Sequence, residues 1–143
     1  MLEVRWEILR DRAAVILVEN NQVALIKRIR NNSVYYVFPG GEIDEGEDPE
    51  TAAKREAFEE LGVKVNVSEC LSKVEFNGTQ YFFLAEIVDG TFGTGQGEEY
   101  TGVNSDRGTY LPIWINIETL SNLEVKPKEV AMKVQSIFNN STH

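Results

Sequence analysis

The sequence predicts an α/β sandwich, and three observations carry that reading. Strand-like apolar stretches recur along the chain, separated by turns that contain Asn or Gly. A glycine loop, Phe38-Pro39-Gly40-Gly41, leads into one well-signalled helix that ends at Gly62. A second, amphipathic helix follows near the end of the chain. Strands interspersed with two helices bury their apolar faces by packing helix against sheet. With 143 residues the chain is long enough for a substantial core, and one domain over residues 1–143 is expected.

The elements follow in order. Val4, Trp6 and Ile8 alternate with Arg5, Glu7 and Leu9, an imperfect strand pattern. Ala13 to Val18 is a continuous apolar run, and Asn20-Asn21 turns it into a second strand, Val23 to Ile29. Asn31-Asn32-Ser33 reads as a loop, and Tyr35 to Phe38 as a short aromatic strand. After the first helix, Val63, Val65 and Val67 begin a strand that Cys70 to Phe76 continues. Asn77-Gly78 is a strong hairpin turn, and Thr79 to Val88 pairs back across it. From Asp89 to Gly108 the chain is rich in glycine and acid, too long for an ordinary connection, and reads as a functional or mobile loop. Thr109 to Ile115 is the last strand and Ile117 to Leu120 a helical turn. Pro127 opens the final helix, with Val130, Val134, Ile137 and Phe138 on one side.

The helix after the glycine loop carries the chemistry. Asp48 is its N-cap, Pro49 its first residue, and Gly62 its stop. Ala53, Ala57, Phe58 and Leu61 share the side expected to pack, with the Lys54 stem buried among them and its head in water. Glu56, Glu59 and Glu60 stand at i, i+3 and i+4, on the other side, where Ala52 leaves room between them. At ~100° per residue they fall within a fan of roughly 100°. Like charges that close repel, and a divalent cation between them reverses the sign. Hard cations such as Mg²⁺ take oxygen ligands and share them with substrate phosphates. A charge-rich helix is most often only a solvated face. Here glycine loop, cap and carboxylate spacing coincide, which points to metal-assisted phosphate chemistry.

The segment Gly41 to Val63 resembles the signature of the Nudix hydrolases of MutT type. That signature is a glycine, five residues, a glutamate, seven residues, Arg-Glu, an apolar residue, any residue, Glu-Glu, any residue, Gly and an apolar residue. Gly41, Glu47, Arg55, Glu56, Ala57, Glu59, Glu60, Gly62 and Val63 occupy those places, Ala57 being small for its slot. Phe38-Pro39-Gly40 before it and Leu111-Pro112-Ile113-Trp114 after it are similar to the family more loosely. The resemblance implies an α/β/α sandwich with a mixed sheet between helices. It implies Mg²⁺-dependent hydrolysis, with Mn²⁺ as a substitute, of a nucleoside diphosphate linked to another moiety. Glu59 and Glu60 are then the first metal ligands and Glu56 the third, with the Gly41 carbonyl as a further ligand. Glu47 and Arg55 form an ion pair that holds the loop on the helix. The general base is either a glutamate of this segment or Glu98 or Glu99 from the glycine-rich stretch.

Composition sets the frame. Hydrophobic residues make up 42% and charged residues 26%, ordinary for a soluble globular protein. The net charge of −9 argues against stable binding to nucleic acid or to an anionic membrane. A phosphate-rich ligand must therefore meet metals and a few local cations, with Lys27, Arg28, Arg30 and Arg107 as candidates. Cys70 is the one cysteine, so no intrachain disulfide forms; a cytoplasmic setting fits, and Cys70 is read as a small core residue. His143 is the one histidine and the last residue, which excludes histidine catalysis and His/Cys zinc sites within one chain. The start, MLEVRWEILRDR, is neither signal peptide nor membrane span. A homodimer is compatible with the sequence. Substrate choice stays open at this level. The default is a nucleoside triphosphate, oxidised ones included. Tyr81 resembles, in its place after Gly41 to Val63, a tyrosine of some dinucleoside polyphosphate hydrolases, which makes such a substrate an alternative, and a noncatalytic nucleotide-sensing domain is disfavoured by the intact glutamates. An isoprenoid-diphosphate isomerase needs more than a lone Cys70.

Overall fold

The computed structural model describes residues 9–95 and 108–139. The Val4-Trp6-Ile8 pattern, Glu98, Glu99 and Arg107 lie outside the described residues. β1 (Arg12–Glu19) and β2 (Gln22–Arg30) form a hairpin about Asn20 and Asn21, whose φ angles are 52° and 63°. Asparagine tolerates this left-handed conformation, which matches the twist of paired strands. The device recurs at Asn31 and Asn32, with φ of 53° and 67°. The expected loop is thus a two-residue turn, and Ser33 already begins β3 (Ser33–Val37).

A three-residue strand, β4 (Gly40–Glu42), precedes α1 (Pro49–Leu61). β5 (Val63–Glu75) and β6 (Thr79–Gly90) form the long hairpin about Asn77-Gly78. β6 takes in Asp89 and Gly90, so the glycine-rich connection starts two residues later than the composition suggested. β7 (Thr109–Asn116), a 3-10 helix (Ile117–Asn122), β8 (Val125–Lys126) and α2 (Lys128–Phe138) complete the order.

The sheet runs β5-β6-β1-β2-β3-β8, with β4 also on β1 and β7 also on β2. β1 with β6 and β3 with β8 are parallel pairs; the rest are antiparallel, so the sheet is mixed. β1 and β2 pair at Val18 with Val23 and Glu19 with Gln22, and then part. Beyond that seam β1 takes β4 as its neighbour and β2 takes β3. The sheet thereby splays into two wings.

Helices cover both faces. Ala13, Val15 and Leu17 of β1 pack with α1, while Ala14 and Ile16 pack with α2 and the 3-10 helix. A strand buried on both faces reads as a continuous apolar run, which explains Ala13 to Val18. On α2 the covered stripe is Val130, Ala131 and Val134; Ile137, in the last turn, is exposed.

Three side-chain expectations are corrected. Phe58 is 54% exposed, and the face of α1 against the sheet is Ala52, Ala53, Ala57 and Leu61, joined by Glu56 and Glu60. Lys54 stays in water beside Glu50, 3.7 Å away. Cys70 is exposed rather than buried. The pairing of β5 with β6 shifts register between Val67 and Glu69 and again between Cys70 and Ser72. Across the first of these shifts Ser68, Glu69 and Cys70 are all exposed, so the burial that Val63 and Val65 show stops before Cys70.

Candidate active site

Local signals place α1 as the sequence anticipated. The Asp48 carboxylate accepts the Thr51 N–H at 2.7 Å, Pro49 opens the first turn, and Gly62 closes the last with φ 80°. A C-terminal residue in that left-handed conformation is almost free of strain only when it is glycine. The helix then lies against β1, β4 and β5 with its alanines inward.

This seating turns two carboxylates into the protein. Glu56 and Glu60, one turn apart, retain 8% and 6% of their exposure. Carboxylates so buried need partners. Glu60 Oε1 accepts the Gly40 N–H at 3.0 Å, and Glu56 Oε2 accepts from Arg55 Nη1 at 2.9 Å. Gly41 is required by the same closeness, since a side chain there would collide with the Glu56 carboxylate. Glu59 is half exposed and reaches Arg55 Nη1 at 3.3 Å. The three glutamates anticipated from spacing are therefore split, two inward and one outward. Among the described residues no group of three or more His, Cys, Asp or Glu is gathered to hold a metal ion.

Arg55 ties loop to helix. Its Nε and Nη2 meet the two oxygens of Glu47 at 2.8 and 2.9 Å, a bidentate pair, and Nη2 also donates to the Glu42 carbonyl at 3.0 Å. Such fork-to-carboxylate pairs fix geometry as well as charge. The Arg55 hydrogen bonds, with the Asp44 N–H at 2.9 Å, hold the Glu47 carboxyl down at about 2. Glu47 in turn pushes the Arg55 guanidinium above its ordinary value, ahead of the opposing effect of burial and the smaller help of Glu56.

Glu56, Glu60, Gly40 and Gly41 border a cleft of about 970 Å³ between the wings. On one side stand Tyr81, Phe82 and Phe76 of the β5-β6 hairpin; on the other stand Arg28, Tyr110 and Lys126. Phe38 and Phe82 meet edge to face at 5.6 Å between ring centres. The Arg28 guanidinium lies 3.7 Å from the Tyr110 ring centre, and Lys126 Nζ lies 4.5 Å from that of Tyr35. Arg28 is thus on the cleft, as its charge suggested. Arg12 and Lys126 also line it and were not singled out from the sequence. Lys126 had a usable signal in its place beside Pro127, just before α2; Arg12 sits in a charged run that offers none.

The comparisons agree with this geometry. Residues 9–132 match the family model described as NUDIX domain. The 8-oxo-dGTP diphosphatase of Escherichia coli (strain K12) is 32% identical over 89 residues, covering 57% of this chain and 69% of that protein. The 8-oxo-dGTP diphosphatase of Haemophilus influenzae is 35% identical over 72 residues, 49% of this chain and 53% of that protein. The chain thus spans about half the length of this second relative. Among solved structures, one from a study of MutT from Aliivibrio salmonicida and Vibrio cholerae superposes with a TM-score of 0.68 at 22% identity, over 89% of this chain and 96% of that one. A family match over most of the length, the shared fold and the loop-helix unit braced by Arg55 lead to one conclusion: the chain belongs to the Nudix hydrolase family.

Proposed function

We propose that the protein is a divalent-cation-dependent pyrophosphohydrolase that cleaves the diphosphate linkage of a nucleoside triphosphate, oxidised bases included. The carrying observation is the pair Glu56 and Glu60, buried one turn apart on a cleft of about 970 Å³, against the backbone of Gly40 and Gly41. A cleft of that size suits a nucleotide. The similarity to two 8-oxo-dGTP diphosphatases supports the substrate class.

The donor chemistry fits a hard cation. Glu56, Glu60, the exposed Glu59 and the Gly41 carbonyl offer oxygen only, and Mg²⁺ is ordinarily held by one or two carboxylates with waters and substrate phosphates. A gathered cage of three carboxylates is therefore not required. Such a cation, when bound, supplies neutralisation of the diphosphate and activation of the attacking water. The chain's own groups do the rest. Arg55 holds the loop that carries Gly40 and Gly41 at its fixed distance from the helix. Arg28 and Lys126 attract and orient phosphates in a protein that is otherwise acidic. A carboxylate takes the proton of the water: Glu56 or Glu60 from within the site, or Glu98 or Glu99 from outside the described residues.

A panel of nucleoside triphosphates, 8-oxo-dGTP among them, ADP-ribose and dinucleoside polyphosphates, assayed with Mg²⁺ or Mn²⁺, tests the proposal. Cation-dependent release of pyrophosphate and a nucleoside monophosphate from a triphosphate is expected. Turnover confined to dinucleoside polyphosphates would transfer the assignment to that class, which Tyr81 on the cleft wall also suits. No hydrolysis across the panel would overturn the enzymatic reading. With the preferred substrate, Glu98→Gln with Glu99→Gln lowers kcat if a loop acid is the base; an unchanged kcat leaves Glu56 and Glu60 as the candidates.

A further inference from the structure

The last turn of α1 ends against a short stretch of chain that does not line the cleft. Phe58 to Leu61 contribute the four carbonyls that a helix cannot satisfy from within. The Gly62 N–H takes that of Phe58 at 2.9 Å. The Leu61 carbonyl accepts two N–H groups from beyond β6, those of Gly93 at 2.8 Å and Thr94 at 3.3 Å. Thr94 Oγ1 closes the stretch on itself by donating to the Thr91 carbonyl at 2.6 Å. The Phe92 ring packs on Trp114, 4.9 Å between centres, and so anchors the segment to the other wing. At Gly95 the backbone lies directly on the carbonyls of Glu59 and Glu60, so closely that a Cβ would strike both.

We propose that Gly95 is a positioning residue for the hydrolytic centre: its bare Cα seats residues 91–95 on the backbone of Glu59 and Glu60 and so sets where their carboxylates stand. The inference rests on the metal reading above. Glu60 is held at its tip by the Gly40 N–H and at its root by Gly95, so the stretch from Gly40 to Gly95 fixes one carboxylate at both ends. Any side chain at position 95 moves either the last turn or the clasp. A displacement near 1 Å is enough to cost on the order of a hundredfold in rate.

The glycines of the clasp supply their own control. Gly95 lies outside the positive-φ region, so alanine is compatible with its backbone and only the collision matters. Gly93 is the reverse: its φ is 95°, which strains alanine, but nothing lies within 4 Å of where a Cβ would sit. Gly95→Ala and Gly93→Ala are compared with wild type by calorimetric titration of Mn²⁺ alone, by melting temperature, and by kcat and KM for the preferred triphosphate. Gly95→Ala is expected to weaken Mn²⁺ binding at least about threefold and lower kcat about tenfold or more at little change in KM. Gly93→Ala is expected to lower the melting temperature while keeping Mn²⁺ affinity. Equal losses of affinity in both variants would assign the effect to clasp stability and overturn the inference. So would wild-type affinity and kcat in Gly95→Ala. A wild-type protein that binds no Mn²⁺ overturns the metal reading itself, and the positioning role with it. Should Gly95→Ala fail to fold, Thr94→Ala carries the test, because it removes the Thr91 bond and adds no atoms. As with Gly93→Ala, Mn²⁺ affinity within about twofold of wild type is then expected, and a loss as large as that of one hydrogen bond would assign the effect to clasp stability and overturn the proposal.

Discussion

Glu47 shows how one side chain links stability to acidity. Its folded-state pKa, about 2, lies below the ordinary 4.5 because Arg55 and the Asp44 N–H hold the charged form. The stabilisation is therefore complete above pH 4.5 and drains away as pH falls toward 2. Melting temperature measured across that window should fall more steeply for wild type than for Glu47→Gln, and equal slopes would remove the pair from the ledger. Arg55→Ala should lower melting temperature and kcat together, since it unties the loop and leaves Glu47 and Glu56 without their cation; a raised KM at constant stability would instead mark a substrate contact. Glu56→Gln and Glu60→Gln keep shape and lose charge, and each should cost at least ~10²-fold in kcat, the scale of losing one fixed electrostatic group. Near-normal Mg²⁺-dependent turnover in both would refute their role. The Glu47-Arg55 pair was legible because the family signature keeps both at fixed positions. The inward turn of Glu56 and Glu60 was not, because an amphipathicity argument counts every glutamate as a solvent-facing residue. For Glu60 the partner stands on another element, the Gly40 N–H, which periodicity does not contain; for Glu56 it is Arg55, the neighbouring residue.

At the scale of elements, α1 was the most legible, since cap, first-turn proline and terminal glycine act locally. Its packing face was read correctly at Ala53, Ala57 and Leu61 and wrongly at Phe58, which is exposed, and at Ala52, which was placed among the glutamates and is buried. Ala52, Ala53 and Ala57 are wholly buried, and their small size lets the helix lie close to β1. Ala53→Leu should accordingly cost about 1–3 kcal/mol by overpacking, measured by chemical denaturation. Phe58→Ala, at an exposed position, should cost far less, and the opposite ranking would contradict the observed seating. β4 and β8 escaped the sequence reading for a different reason. Strands of three and two residues are too short to show an alternation, and they exist because a neighbour offers an open edge. The register shifts along β5 are likewise set by pairing with β6, not by β5 alone.

At the scale of the whole molecule, a divalent cation held as proposed by Glu56 and Glu60 binds the folded chain and so stabilises it. Mg²⁺ should raise the melting temperature with a logarithmic dependence on concentration, approaching about 2.7 kcal/mol of added stability at a hundred times its dissociation constant. The rise should vanish in Glu56→Gln with Glu60→Gln; persistence there would place the bound ion elsewhere. The mixed sandwich itself was foreseeable in class, from strands and two helices, and its splay was not, because the parting of β1 from β2 depends on which strands claim their remaining edges. That seam, two residue pairs wide, also bears on ancestry. The proposed hydrolytic groups stand on one half, in α1 and β4, whereas Arg28, Tyr110 and Lys126 stand on the other. Drift in the second half can alter what is recognised while the first inherits its reaction unchanged. Recutting the second half against a constant first half would then retune recognition at no cost to the reaction, much as a vise keeps its anvil when its moving jaw is recut.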